Sequence, residues 1–105
     1  MTQFELNTVL RTTNLPVVYR AWPSGKAPAL PYIVYLTVRS HNLFADGVVY
    51  LPITHYQVEL YTADKDLDAE QLVENALGAA GIPWEKSETY VETEGFFEIL
   101  YEIEV

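Results

Sequence analysis

Imidazole chemistry in this chain is limited to His41 and His55, and there is no cysteine for thiolate chemistry, disulfides or soft-metal ligation. The two histidines stand fourteen residues apart, and no third ligand has metal-site spacing. They are read as surface or hydrogen-bonded side chains. Ser40 precedes His41, but neighbours on a strand point to opposite faces and cannot act as nucleophile and base. Asp64, Asp66 and Asp68 open like a calcium loop. The pattern then breaks, because Ala69 stands at the required glycine and Asn75 at the bidentate glutamate. Those aspartates suit the positive end of a helix instead. Ser24-Gly25-Lys26 has a trace of a phosphate loop, but Arg20 occupies the upstream glycine position and no hydroxyl residue follows the lysine. Glu102 and Glu104 share a strand face about 7 Å apart, a separation that also serves inverting glycosidases. No sugar-stacking pocket accompanies them, and no nucleophile elbow is present. The residues predict no catalytic centre, no metal and no cofactor.

Charge is distributed unevenly along the chain. Residues 1–45 carry Arg11, Arg20, Lys26 and Arg39 against Glu5 alone, a balance of +3. Residues 46–105 carry Lys65 and Lys86 against 14 acids, a balance of −12. The net charge of −9 repels a phosphate backbone and argues against nucleic-acid binding. Unlike patches of this kind can instead join one subunit to another. The longest apolar stretch, Ala29 to Leu36, is broken by Pro31 and is far short of the ~20 residues of a membrane span. Met1 to Arg11 lacks the basic start and apolar run of a signal peptide, so a soluble, cytosolic product is expected.

The elements that must position these residues can be read in order. Half the residues are hydrophobic, enough for one core, and a single domain over 1–105 is expected. Thr2 and Glu5 form a capping box, and Leu6, Val9, Leu10 and Thr13 carry a helical stripe, predicting a helix over about 3–13. Val17 to Tyr19 reads as a short strand. Pro23 to Pro28 is a loop bordered by Trp22. Leu30 to Arg39 is β-branched and aromatic, with apolar groups on both faces, as in a strand covered at least partly on each side. Asn42 to Gly47 reads as a loop with a tight turn at Asp46-Gly47, and Val48 to Leu51 as extended chain ended by Pro52. His55 to Thr62 alternates as a half-buried strand. A second helix is predicted over about 66–80, with Leu72, Val73, Ala76, Leu77 and Ala80 as its apolar stripe and Gly81 as its left-handed cap. Two strands, 84–91 and 97–105, turn near Glu94-Gly95. The order predicts an α+β fold, a mainly antiparallel sheet of four to five strands with two helices on one face.

Leu43 and Phe44 beside the turn, and Trp22 at the loop's edge, are apolar groups that a small domain has difficulty covering by itself. Aromatic anchors of this kind dominate interface energetics. With Arg20, Lys26 and Asp46 as charged neighbours, they are the candidate subunit-contact residues. Folding back onto the domain's own sheet is the competing reading.

Several segments resemble small proteins encoded in the structural gene clusters of long-tailed phages and prophages. They are Leu30-Pro31-Tyr32, Asn42 through Tyr50, Tyr56 through Thr62, Ile82 through Lys86, and Tyr101-Glu102-Ile103. Spread over about residues 28–105, they are similar to the tail-completion group of tail terminators and head–tail joining proteins. The resemblance implies a homo-oligomer, usually a hexameric ring, at the head-proximal end of the tail tube. Such a ring stops tube polymerisation and joins tail to head, with a tail-tube protein and a head connector protein as partners. It implies a location in the virion tail after assembly in the host cytoplasm, and no catalytic or cofactor residue. The alternative is a monomeric or dimeric protein- or peptide-binding module.

Overall fold

A computed structural model describes all residues, Met1 to Val105. Helix α1 spans Gln3–Arg11 and α2 spans Leu67–Ala79. The strands are β1 (Val17–Tyr19), β2 (Tyr32–Ser40), β3 (Leu43–Ala45), β4 (Val48–Leu51), β5 (Thr54–Thr62), β6 (Glu85–Val91) and β7 (Phe96–Glu104). Five strands form one sheet in the order β1-β2-β5-β7-β6, while β3 and β4 pair only with each other. The fold is α+β.

Local rules account for the helix ends. Thr2 Oγ1 accepts from the Glu5 amide, and Glu5 Oε1 accepts from the Thr2 amide, closing the capping box. Helix α1 stops two residues before the predicted end, because Asn14 adopts a left-handed φ of 64° and the Thr13 hydroxyl turns back to the Leu10 carbonyl. Helix α2 starts where Asp66 caps the Ala69 amide, and Gly81 follows it at a φ of +71°.

Leu6 and Leu10 of α1 and Ala69, Val73 and Leu77 of α2 enter one core with Ile33, Tyr35, Val58, Leu60, Ile99, Tyr101 and Ile103. Both helices therefore cover the same sheet face. Leu72, expected on the buried stripe, is exposed, because α2 presents only one side to the sheet. The sheet is antiparallel except for β1, which runs parallel to β2 through the register Val17↔Ile33 and Tyr19↔Tyr35. The hairpin-like reading of the connections missed this pair. A parallel neighbour needs a connection of a dozen or more residues, and the Pro/Gly loop supplies it. Leu43–Ala45, expected within a loop, is a strand that pairs across the Asp46-Gly47 turn with Val48–Leu51, the stretch expected as extended, and the two form a second small sheet.

One buried charge was not anticipated. Glu70 lies on the core side of α2 with a side chain only 3% exposed, held by Lys65 at 2.6 Å and Lys86 at 3.1 Å. Lys86 also reaches Glu74, which accepts from the Tyr101 hydroxyl at 2.7 Å. Burial alone would push the Glu70 carboxyl up. Hydrogen bonds from Lys65 and Lys86 outweigh it and hold the group below its ordinary 4.5. A depressed carboxylate stabilises the fold above its unfolded value and loses that contribution as pH falls through the folded value. In denaturant titrations the wild type should lose stability below about pH 4.5. The Glu70→Gln variant should show a shallower loss over the same range, and parallel pH profiles would remove this role.

Candidate functional site

The β3–β4 hairpin is an arm that grows from the far ends of β2 and β5. Its root is fixed by the His41 amide donating to the Ile53 carbonyl at 2.8 Å and the Ile53 amide donating to Asn42 Oδ1 at 2.9 Å. Pro52, without an N–H, interrupts the ladder between arm and main sheet. The molecule measures 50 × 28 × 22 Å, and its radius of gyration of 14.7 Å exceeds the value for a compact domain of this length, about 13 Å.

Every residue of the arm's two strands is exposed. Phe44 is 66% exposed, Val48 64% and Tyr50 72%, with Leu43, Val49 and Leu51 near one half. Phe44 and Val49 are paired on one face, and Ala45 and Val48 on the other. Neither face is built for water, and a lone two-stranded hairpin is marginally stable at best. Soluble monomers rarely expose a contiguous apolar patch on this scale.

The tip is a two-residue turn, with Asp46 at φ 53° and Gly47 at φ +77°. Two successive positive φ values match the right-handed twist of a hairpin. A Cβ at Gly47 would meet nothing within 4 Å, so Gly47→Ala tests backbone strain alone. The expected cost is about 1 kcal/mol, confined to the arm. Arm amides should exchange hydrogen roughly fivefold faster, with the global melting transition unchanged. Equal exchange rates would remove the turn's role.

The sheet face away from the helices is the second unusual surface. Antiparallel sheets commonly carry polar residues on their uncovered face. Here that face holds Val34, 6% exposed, with half-buried Tyr32, Leu36, Tyr61, Phe96 and Leu100. Trp22 packs edge-on against Tyr32 at 5.7 Å, Tyr32 meets Tyr61 at 5.5 Å, and Tyr61 meets Phe96 at 5.2 Å. Beside this aromatic row, Glu59 accepts from the Tyr61 hydroxyl at 2.7 Å. Burial raises the Glu59 carboxyl, and the Glu98 charge nearby adds to the rise against the opposing Tyr61 hydrogen bond.

The predicted contact residues do not form one cluster. Leu43, Phe44 and Asp46 lie on the arm. Trp22 has folded back to half-burial at the rim of the open sheet face. Arg20 and Lys26 are exposed on the loop beside it, Arg20 at φ 68°. Arg11, Arg20, Lys26 and Arg39 make no ion pair within the chain, whereas Lys65 and Lys86 are both engaged.

The histidines converge, which the sequence spacing alone did not reveal. His41 Nδ1 lies 2.8 Å from Glu104 Oε1, and His55 lies 3.4 Å from both Glu104 and Glu102. The signal was the alternation of β5 and β7, whose antiparallel register sets His55 opposite Glu104. Glu104 is held below the ordinary carboxylate range, first by the His41 hydrogen bond. These groups sit at the arm's root, beside an open cleft of about 480 Å³ lined by His55, Trp84, Glu85, Glu102 and Glu104. The sequence predicts no pocket beside the Glu102–Glu104 pair, but the cleft sets both carboxylates next to the Trp84 ring and His55, because the β5–β7 register and the start of β6 bring them together. No serine or threonine hydroxyl lines it. The histidines and carboxylates are not arranged to hold a metal ion. A second cleft, of about 400 Å³, lies between Pro31 and the Asp64–Asp68 segment. No helix is long and apolar enough to cross a membrane.

Comparison with models of known protein families returns no match, and comparison with curated proteins returns none.

Proposed function

We propose that this chain is a structural subunit of a long-tailed phage or prophage, forming a ring at the head-proximal end of the tail tube. In that role it ends tube polymerisation and joins tail to head, touching the tail-tube protein on one side and the head connector on the other. It works by adhesion and shape, without turnover. The single observation that carries the reading is the apolar arm, exposed along its whole length and paired with nothing else in its own subunit. Ring closure requires heterologous contacts, in which one patch meets a different patch on the neighbour. The arm, the unpaired cations and the open acidic–aromatic sheet face are unlike patches of the required kind. The resemblance of segments within residues 28–105 to tail-completion proteins directs the reading toward phage tails.

Electron microscopy and native mass spectrometry of the purified chain test this. Annular particles of defined subunit number, with affinity for tail-tube ends, are the expected result. A chain that stays single or dimeric both alone and when mixed with tail tubes would favour the peptide-binding alternative.

A further inference from the structure

We propose that the arm of one copy lies across the open sheet face of the next, and that this arm-to-face contact repeats around the ring. The number of copies rests on the ring reading above; the choice of contacting surfaces rests on the geometry.

Each subunit has one apolar surface exposed along its length, the arm, and one that it covers only in part. The second is the helix-free face of β2, β5 and β7, where Tyr32, Leu36, Tyr61, Phe96 and Leu100 stay half-buried. Their dimensions agree. A four-residue strand reaches about 13 Å, while three strands spaced about 4.8 Å apart span a comparable width. A hairpin laid across the face therefore passes over Tyr32, Tyr61 and Leu100 before it ends.

The charges match in one orientation. The arm has an anion at its tip, Asp46, and a cation near its root, Arg39. The receiving face has cations at one rim, Arg20 and Lys26 on the loop beside Trp22, and anions further across, Glu59 and Glu98. With the tip toward the β1 edge and the root toward β7, Asp46 meets Arg20 and Lys26 and Arg39 meets Glu59 and Glu98, while Glu104 at the root keeps its own partner, His41. Arg20, Lys26, Arg39, Glu59 and Glu98 have no ion-pair partner within the chain, so all are available. Glu59, half-buried beside the like charge of Glu98, gains most from an incoming cation.

Arm-to-arm pairing between two copies fits less well. It leaves the aromatic row uncovered and the cations and anions unmatched. The nine residues 43–51 provide about a third of one side of a standard interface, so a docked arm also needs the loop and sheet residues around it. The open face provides them.

Two variants decide the matter. Phe44→Asp disables the arm and leaves the face intact; Glu98→Arg disables the face and leaves the arm intact. Circular dichroism and thermal melting verify that each folds. Gln57→Arg, on the same face, replaces Glu98→Arg if the latter does not fold. Each variant alone should remain single. Mixed in equal amounts, they should form a one-to-one pair and nothing larger, because only one working arm and one working face remain. Two results overturn the proposal: a face variant that assembles as the wild type does, or a mixture that yields no pair. Wild-type rings that persist in the face variant remove the arm-to-face contact and leave the ring reading intact. A wild type that never self-associates removes both.

Discussion

Phe44→Asp should abolish assembly while leaving the monomer's stability nearly untouched. Phe44 is 66% exposed on an arm whose strands pair only with each other, so its replacement disturbs no core packing. Exposed substitutions away from special backbone sites generally fall within about ±0.5 kcal/mol. In the assembled state the same ring would be buried, which is worth roughly 1.5–3 kcal/mol for a side chain of that size. The aspartate forfeits that gain and adds the cost of desolvating a charge. At about 1.4 kcal/mol per tenfold, each contact should weaken by two orders of magnitude or more, and a closed ring loses this at every junction. Native mass spectrometry should register the single chain only, and denaturant unfolding should superimpose on the wild type. Unchanged oligomer mass would sink the assignment of the arm as the assembly element.

Leu60→Ala should do the reverse. Leu60 is fully buried on β5, the middle strand of the five, between partners on β2 and β7. Both neighbouring strands and the helices hold the site open, so it collapses poorly around the missing atoms. The expected loss is about 3 kcal/mol, within the 2–5 kcal/mol range for buried leucine truncation. That is a large part of a domain stability of roughly 5–15 kcal/mol, and should lower the melting temperature by about 12–20 °C. At temperatures where the variant remains folded, its ring mass should be normal, because the arm and open face are distant in role from this site. A loss below about 1 kcal/mol in urea titration would mean that the core is not organised around β5. Together the two variants separate what holds the subunit together from what joins subunits.

Much of this fold could be read from local chemistry. The capping box at Thr2 and Glu5, the aspartates before α2, Gly81 after it and the period-two alternation of β5 and β7 each have a short-range cause, and each element lies where that cause puts it. The features that escaped depend on long-range placement. The parallel pairing of β1 with β2 is decided by where the 20–31 loop returns the chain, and no local residue encodes that. The burial of Glu70 depends on Lys65 and Lys86 arriving from different segments, and nothing local to α2 announces that. Leu72 looks like a stripe residue by spacing but falls just beyond the arc that faces the sheet. At the arm, Asp46-Gly47 announced its own turn, and Pro52 its end. The difficulty of covering Leu43 and Phe44 was legible beside the turn, but the separation of β3 and β4 from the main sheet was hidden, because which strands pair is decided by long-range placement. The open face was legible only in part. Apolar groups on both sides of 30–39 were evident, but their junction with Tyr61, Phe96 and Glu98 needed the strand order.

Trp22 makes the open face observable by light. Its ring rests on Tyr32 at the face's rim, while the chain's other tryptophan, Trp84, stacks edge-on with Tyr101 on the helix-covered side. The two indoles thus lie on opposite sides of the sheet. A neighbour settling on the open face changes the surroundings of the first and leaves those of the second alone. With Trp84→Phe as background, emission from one fluorophore follows subunit docking in real time, without a dye or label.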